Sequence, residues 1–288
     1  MKVCLLLALI TIPVFLHAQE TPEFPDMRCW RLWIKDKADD RYIFADTAYV
    51  RVTPDTKQPP ADTLFAGDDI TITEITSNVL TIRGLKGPWL KISYTKNGES
   101  KTGYIWQGLI SCPPLRRGDV KFVYGIERRA DSNTIKRFQV VLKVVQKGSV
   151  VAKTSFLTWD DESANFSEGK VMSGMGLTNV SNFVVLTFSG EACGIPTYDY
   201  YIAFTKSTQL VRFPIKENIA DAGVFYHEET FTFPSEKNGK PNKVILNKKS
   251  EEVTEKIDQN GDPVFKTTEK KTEQYAWNGT TGTLSALK

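Results

Sequence analysis

The chain has 288 residues, 41% of them hydrophobic and 11% aromatic, which is enough apolar material to fill one large core or two modest ones and excludes global disorder. A formal charge of +3, from 37 basic and 34 acidic residues, gives no argument for nucleic acid or an anionic membrane surface as partner. Beyond the first eighteen residues no apolar stretch is long enough to span a bilayer, so no transmembrane segment is expected.

Residues 1–18 have a basic start at Lys2, an apolar run from Val3 to Leu16 interrupted only by Thr11 and Pro13, and the small residue Ala18. This is the pattern of a secretory signal peptide cleaved after Ala18, and it implies a periplasmic or secreted mature protein. Cys29, Cys112 and Cys193 then remain in a compartment that permits disulfides. Cys29 and Cys112 bracket a barrel-like segment and are expected to pair. That bridge would close a loop of roughly 80 residues and contribute about 4 kcal/mol by constraining the unfolded chain. A Cys112 to Cys193 bridge is the alternative.

An N-terminal segment, 19–41, begins polar and turns strand-like from Cys29 to Ile34. Short strands follow over 42–115, separated by Thr53-Pro54-Asp55, Gln58-Pro59-Pro60, Ala66-Gly67-Asp68-Asp69, Lys86-Gly87-Pro88 and Lys96-Asn97-Gly98, the turn chemistry of a small barrel. Cys112-Pro113-Pro114 ends the run, because proline cannot continue a paired strand. The remainder, 119–288, reads as a larger antiparallel β domain, a sandwich or an open curved sheet. Hairpins are expected around Lys147-Gly148 and around 258–262, with central strands over Asn182 to Phe188 and Tyr198 to Phe204. The expected fold class is therefore all-β.

Four elements in order carry a resemblance. They are Ala48-Tyr49-Val50-Arg51-Val52-Thr53-Pro54, Leu64-Phe65-Ala66-Gly67-Asp68, Trp89-Leu90-Lys91-Ile92, and Thr102-Gly103-Tyr104-Ile105 with Leu109. Together they resemble the bacterial SH3-like domain over residues 42–112, about a quarter of the chain. The resemblance implies a small barrel whose core takes Val50, Val52, Ile70, Ile72, Leu90, Ile92 and Ile105, and a role in recognising cell-envelope material such as peptidoglycan stem peptides or a partner protein. Tyr49 and Tyr104 stand where the family has Asn and Trp, and the segment from Thr73 to Gly87 is longer than usual, with Asn78 to Gly84 able to add a hairpin.

Ring faces bind extended chains at little entropic cost, so Tyr49, Tyr94 and Trp106, with Arg51, are the candidate ligand-binding residues. Trp159, Tyr198, Tyr200 and Trp277 are looser candidates in the second half. Catalysis finds little support. His227 is the one histidine after the signal segment, neither His-Glu-x-x-His nor Gly-x-Ser-x-Gly occurs, and Cys193 with His227 is the sole thiol–imidazole combination. Asp258 to Glu269 has calcium-loop spacing, but Pro263 replaces the needed glycine, so a hairpin turn is the better account. No cofactor, metal ion or catalytic residue is expected. Two alternatives remain: a glycan-active enzyme whose acids come from Asp160, Asp161, Glu162, Glu217, Asp221, Glu228 or Glu229, and an assembly subunit whose barrel docks on its own C-terminal domain.

Overall fold

The computed structural model describes residues 25–31, 38–130 and 135–287. The signal segment at 1–18 and the strand-like residues Leu32, Trp33 and Ile34 lie outside the described residues. Among the described residues no helix is long and apolar enough to cross a membrane.

Alternation and turn chemistry build the first unit. Its strands are β1 (Asp39–Tyr42), β2 (Thr47–Val50), β3 (Asp62–Phe65), β4 (Asp69–Ile82), β5 (Leu85–Lys96) and β6 (Glu99–Trp106). They form an antiparallel sheet in the order β1-β4-β5-β6 and a separate β2-β3 pair. Single bridges, Arg51 with Tyr104 and Ile43 with Ile110, join the pair and the exit of the unit to the rest. Gly103 permits the first of these, because a Cβ there would run into Val50 and the Arg51 carbonyl. Val50, Ile70, Ile72, Leu90, Ile92 and Ile105 are buried together. Val52 departs from the expected core and is exposed, since β2 ends at Val50 and the chain leaves the sheet after the Arg51 bridge. The β4–β5 hairpin turns at Arg83 and Gly84, both at positive φ, and β5–β6 does the same at Asn97 and Gly98. These are the dihedrals whose twist matches paired strands.

The second sheet is β7 (Leu115–Arg117), β8 (Val120–Arg129), β9 (Arg137–Gln146) and β10 (Ser149–Trp159), in the order β10-β9-β8-β7. Its central strands are apolar on both faces, as strands buried on two sides must be. One face sets Val123, Val141 and Val145 against Tyr42 and Phe44 of the first unit. The other presents Phe122, Tyr124, Val140 and Leu142 to Val184, Leu186, Tyr200 and Phe204, with Phe122 edge-on to Phe204 at 6.0 Å.

Those last residues belong to the large sheet of nine strands. It runs through β11 (Phe166–Ser173), β12 (Val180–Ser189), β13 (Thr197–Thr205), β14 (Leu210–Arg212), β15 (Lys216–Asp221), β16 (Phe225–Thr232), β17 (Lys243–Ile257), β18 (Pro263–Asn278) and β19 (Thr283–Leu287). Every strand pairing in these sheets is antiparallel, and among the described residues the fold is all-β apart from short 3-10 turns. A second, aromatic core of Phe183, Phe213, Phe233 and Trp277 covers the far face of this sheet. The charged β17–β18 hairpin projects from it as expected, with an exposed surface rich in Lys and Glu.

Cys29 and Trp30, expected to begin a strand, lie instead at the end of a 3-10 turn over Pro25–Trp30. Extended backbone would send Cys29 and Trp30 to opposite faces, whereas both are buried along with Met27. The tighter turn brings residues three apart, Met27 and Trp30, to one side.

Candidate functional site

The expected aromatic groove of the β5–β6 hairpin is filled by the protein itself. Trp106 is 3% exposed, and its indole Nε1 donates to the carbonyls of Leu80 at 3.0 Å and Gly87 at 3.1 Å. Its ring lies where a Cβ on Gly108 would be. Both carbonyl acceptors come from the long β4–β5 hairpin, so the insertion in that segment shapes the bed for the indole. Tyr94 is 6% exposed, and its hydroxyl reaches Asp62 Oδ2 at 3.4 Å. Asp62 is held to about 2, below its ordinary 3.8, chiefly by the Lys96 ammonium and next by the Thr63 N–H. Burial and the neighbouring Asp62 carboxylate push the Tyr94 phenol upward. Arg51 exchanges backbone hydrogen bonds with Tyr104, and its guanidinium donates to the Gln58 carbonyl, which ties down its own loop. Trp106 and Tyr94 are therefore corrected from ligand-facing to buried residues. A large ring with a polar atom was satisfied inside, where its N–H or O–H has a fixed partner.

Tyr49 is different, at 51% exposed. The register pairs Tyr49 with Thr63 and Thr47 with Phe65, so Tyr49 and Phe65 are diagonal neighbours on the outward face of β2–β3. Phe65 is 53% exposed, while Ala48, Val50 and Leu64 point inward. Phe65 is not among the ligand-binding residues expected from the sequence. The signal was present, since Phe65 follows the inward Leu64 on an alternating strand and so must face out.

Phe65 borders a cleft of about 860 Å³ between the first unit and the second sheet. Phe65, Thr63, Tyr94 and Lys96 line one side, while Lys121 and Lys147 come from the other. Lys121 Nζ donates to Gly67 O at 2.8 Å, pairs with Asp69 at 2.7 Å and lies 4.7 Å from the Tyr42 ring centroid. Asp40, Asp68, Asp69 and Asp119 also line the cleft, so both signs of charge face a bound molecule.

The first unit is fixed to its neighbour by close packing. Gly67 approaches Val145 so nearly that a Cβ would sit 2.8 Å from it, and Gly125 leaves room for the Phe44 ring. Between them Lys143, almost wholly buried, donates to Phe44 O at 2.5 Å and pairs with Asp46 at 2.7 Å. Burial lowers the Lys143 ammonium from its ordinary value, and the Asp46 hydrogen bond partly restores it.

The looser candidates separate. Trp159 and Tyr198 meet with ring centroids 6.4 Å apart, and Arg137 lies over the Trp159 ring at 4.4 Å. Tyr200 is buried against Phe156 at 4.2 Å, and burial raises its phenol to about 12. Trp277 sits in the second core, donating to Thr178 O at 2.8 Å. Of the acids, Asp160 pairs with Arg129, and Asp161 accepts from Ser163 N at 2.9 Å to cap a 3-10 turn. The buried Glu229 is paired with Lys248 at 2.8 Å and accepts the Glu217 N–H at 2.9 Å. Glu217 and Asp161 both act on the Tyr198 phenol and raise it, after burial. His227 Nδ1 is 2.8 Å from Ser250 Oγ, and its Nε2 is 3.4 Å from Glu229. Cys193, the other half of the thiol–imidazole combination, is exposed, and the hydrogen bonds of His227 run to Ser250 and Glu229. Asp258 accepts the Asn260 and Asp262 N–H groups at 2.8 and 2.9 Å, the work of a turn-former. Among the described residues no group of three or more His, Cys, Asp or Glu is arranged to hold a metal ion. Compared with family models, curated proteins and solved structures, the chain matches none of them.

Proposed function

We propose that this is an exported, non-enzymatic binding protein whose SH3-like first unit recognises cell-envelope material, with a peptidoglycan stem peptide or a partner protein as ligand. The observation that carries the reading is the exposed Phe65 at the rim of a cleft lined by both charges, with the exposed Tyr49 its diagonal neighbour on the outward face of β2–β3. An extended peptide with free amino and carboxylate groups suits such a surface, because its apolar side chains meet rings while its ends meet Asp and Lys. Arg51 serves this surface indirectly, by holding the loop after β2.

A second reading is favoured by the Lys143 latch and the glycine contacts at Gly67 and Gly125. In it the first unit is a docked structural module of an assembly subunit and takes no ligand of its own. Co-sedimentation with purified sacculi at low salt separates the two. The binding reading expects retention of the native protein and at least about tenfold weaker retention of a Tyr49→Ala/Phe65→Ala variant, as for paired aromatic anchors. Absence of retention at low salt counts against it and leaves the docked-module reading.

A further inference from the structure

The groove expected to hold a foreign ligand is covered by the chain's own N-terminal turn. Met27 packs where a Cβ on Gly87 would be, beside the Trp106 indole, and its carbonyl accepts from Gln107 Nε2 at 3.4 Å. Trp30, fully buried, donates its indole N–H to Ile110 O at 2.9 Å. On its other side the turn meets β11, through Ser167 Oγ donating to Cys29 O at 2.5 Å and Arg31 near Glu168 at 3.7 Å. The turn and the residue after it thus touch both the first unit and the large sheet.

Cys29 and Cys112 lie at the centre of this contact, each at most 1% exposed. Both cysteines are tied to Tyr124: Ser167 Oγ donates to Cys29 O and meets the Tyr124 OH at 3.3 Å, while the Tyr124 backbone carbonyl accepts Cys112 N at 2.8 Å. The two thiols, reduced in this structure, interact with one another. We infer that Cys29 and Cys112 become a disulfide in the mature protein, and that this bond pins the Pro25–Trp30 turn as a permanent intramolecular occupant of the face over Trp106. In the step, two thiols lose two protons and two electrons and one S–S bond forms. The oxidant is a disulfide of the thiol-exchange class, RS–SR, which leaves as two RSH. Burial and the facing Cys112 thiol raise the Cys29 thiol, so little thiolate forms once the fold is complete. Exchange therefore belongs to the folding stage, and the finished bond resists reductant. Cys193, exposed, stays a thiol.

The test starts from protein exported to its own compartment, unfolded without reductant, alkylated and peptide-mapped. The Cys29 and Cys112 peptides are expected only as a joined pair, with Cys193 alkylated. Alkylated Cys29 and Cys112, or either joined to Cys193, overturns the inference. For the pinning, tryptic cleavage after Arg28 is expected to be at least about tenfold faster in a Cys29→Ser/Cys112→Ser variant, as for a segment that opens locally more often. Wild-type chain refolded under reductant gives the same comparison should the variant fold poorly. Equal cleavage rates in oxidised and reduced wild-type protein overturn the claim that the bond holds the turn.

Discussion

Gly67 answers two demands at once. It turns the chain at φ +88° between β3 and β4, and a Cβ there would press on Val145 of the neighbouring sheet. Gly98 has a similar φ of +80° with open space around it. Gly98→Ala is therefore expected to cost about 1 kcal/mol, from backbone strain alone. Gly67→Ala should cost about 3 kcal/mol, because overpacking adds to strain. Denaturant unfolding of the two variants checks the difference, and equal costs would mean that the Gly67 contact with Val145 carries no weight. Asp62 makes a pH prediction. Its carboxyl is depressed from 3.8 to about 2 by Lys96 and the Thr63 N–H, so the stability it contributes is complete above about pH 4 and is lost as pH falls towards 2. Thermal melts in that window should fall more steeply for the native protein than for Asp62→Asn. At this scale the sequence was legible where alternation applied, which is how Val50, Ile70 and Leu90 were placed inside. It misled at Trp106 and Tyr94, because an aromatic at a strand end reads alike whether a ligand or the chain's own carbonyls will meet it.

Among elements, β9 is the most constrained. Its Val140-Val141-Leu142-Lys143-Val144-Val145 run is buried on both faces, with one ammonium in the middle. That charge is satisfied by Phe44 O and Asp46 across the junction with the first unit. Lys143→Ala leaves the Phe44 carbonyl unpaired beside a cavity and should destabilise by about 3 kcal/mol. Lys143→Met also leaves the Phe44 carbonyl unpaired but keeps most of the volume and opens no cavity, so it should cost less, about 1–2 kcal/mol. Chemical denaturation ranks the two, and a Met variant as damaged as the Ala variant would show that the ion pair, rather than packing, holds the junction. The sequence displayed this strand plainly, since a hairpin around Lys147-Gly148 was expected and β9 and β10 flank that turn. What it did not display was the use of the long β4–β5 hairpin. Its turn reaches β8, where Arg129 N donates to Arg83 O at 3.1 Å and Arg129 packs on Gly84. An insertion's length is visible in one sequence, but its docking partner depends on pairing far along the chain. The N-terminal turn was misread for the same reason, because its conformation follows from burying Met27, Cys29 and Trp30 together.

On the scale of the whole molecule, the first unit, the second sheet and the large sheet stack in layers, and a continuous core runs through all three. The all-β class and the long charged hairpin were readable from strand-length apolar runs and turn residues. The layering was not, since Tyr42 and Phe44 look like ordinary strand residues until Val123 and Val141 are set against them. Docking in this way closes one side of the first unit and its N-terminal turn closes another, which leaves Tyr49 and Phe65 as its exposed rings. Trp106→Ala is accordingly expected to lower stability by about 3–5 kcal/mol, as buried tryptophan truncations do. Tyr49→Ala/Phe65→Ala should leave the melting temperature nearly unchanged while weakening binding.

The most direct measurement is amide and indole chemical-shift mapping of the isotope-labelled protein during titration with a soluble peptidoglycan stem peptide. Saturable shifts are expected at Thr47, Tyr49, Thr63, Phe65 and Lys96, with the Trp106 indole N–H signal unmoved. Shifts centred on Trp106 and Trp89, or none at any peptide concentration, would contradict binding at Tyr49 and Phe65.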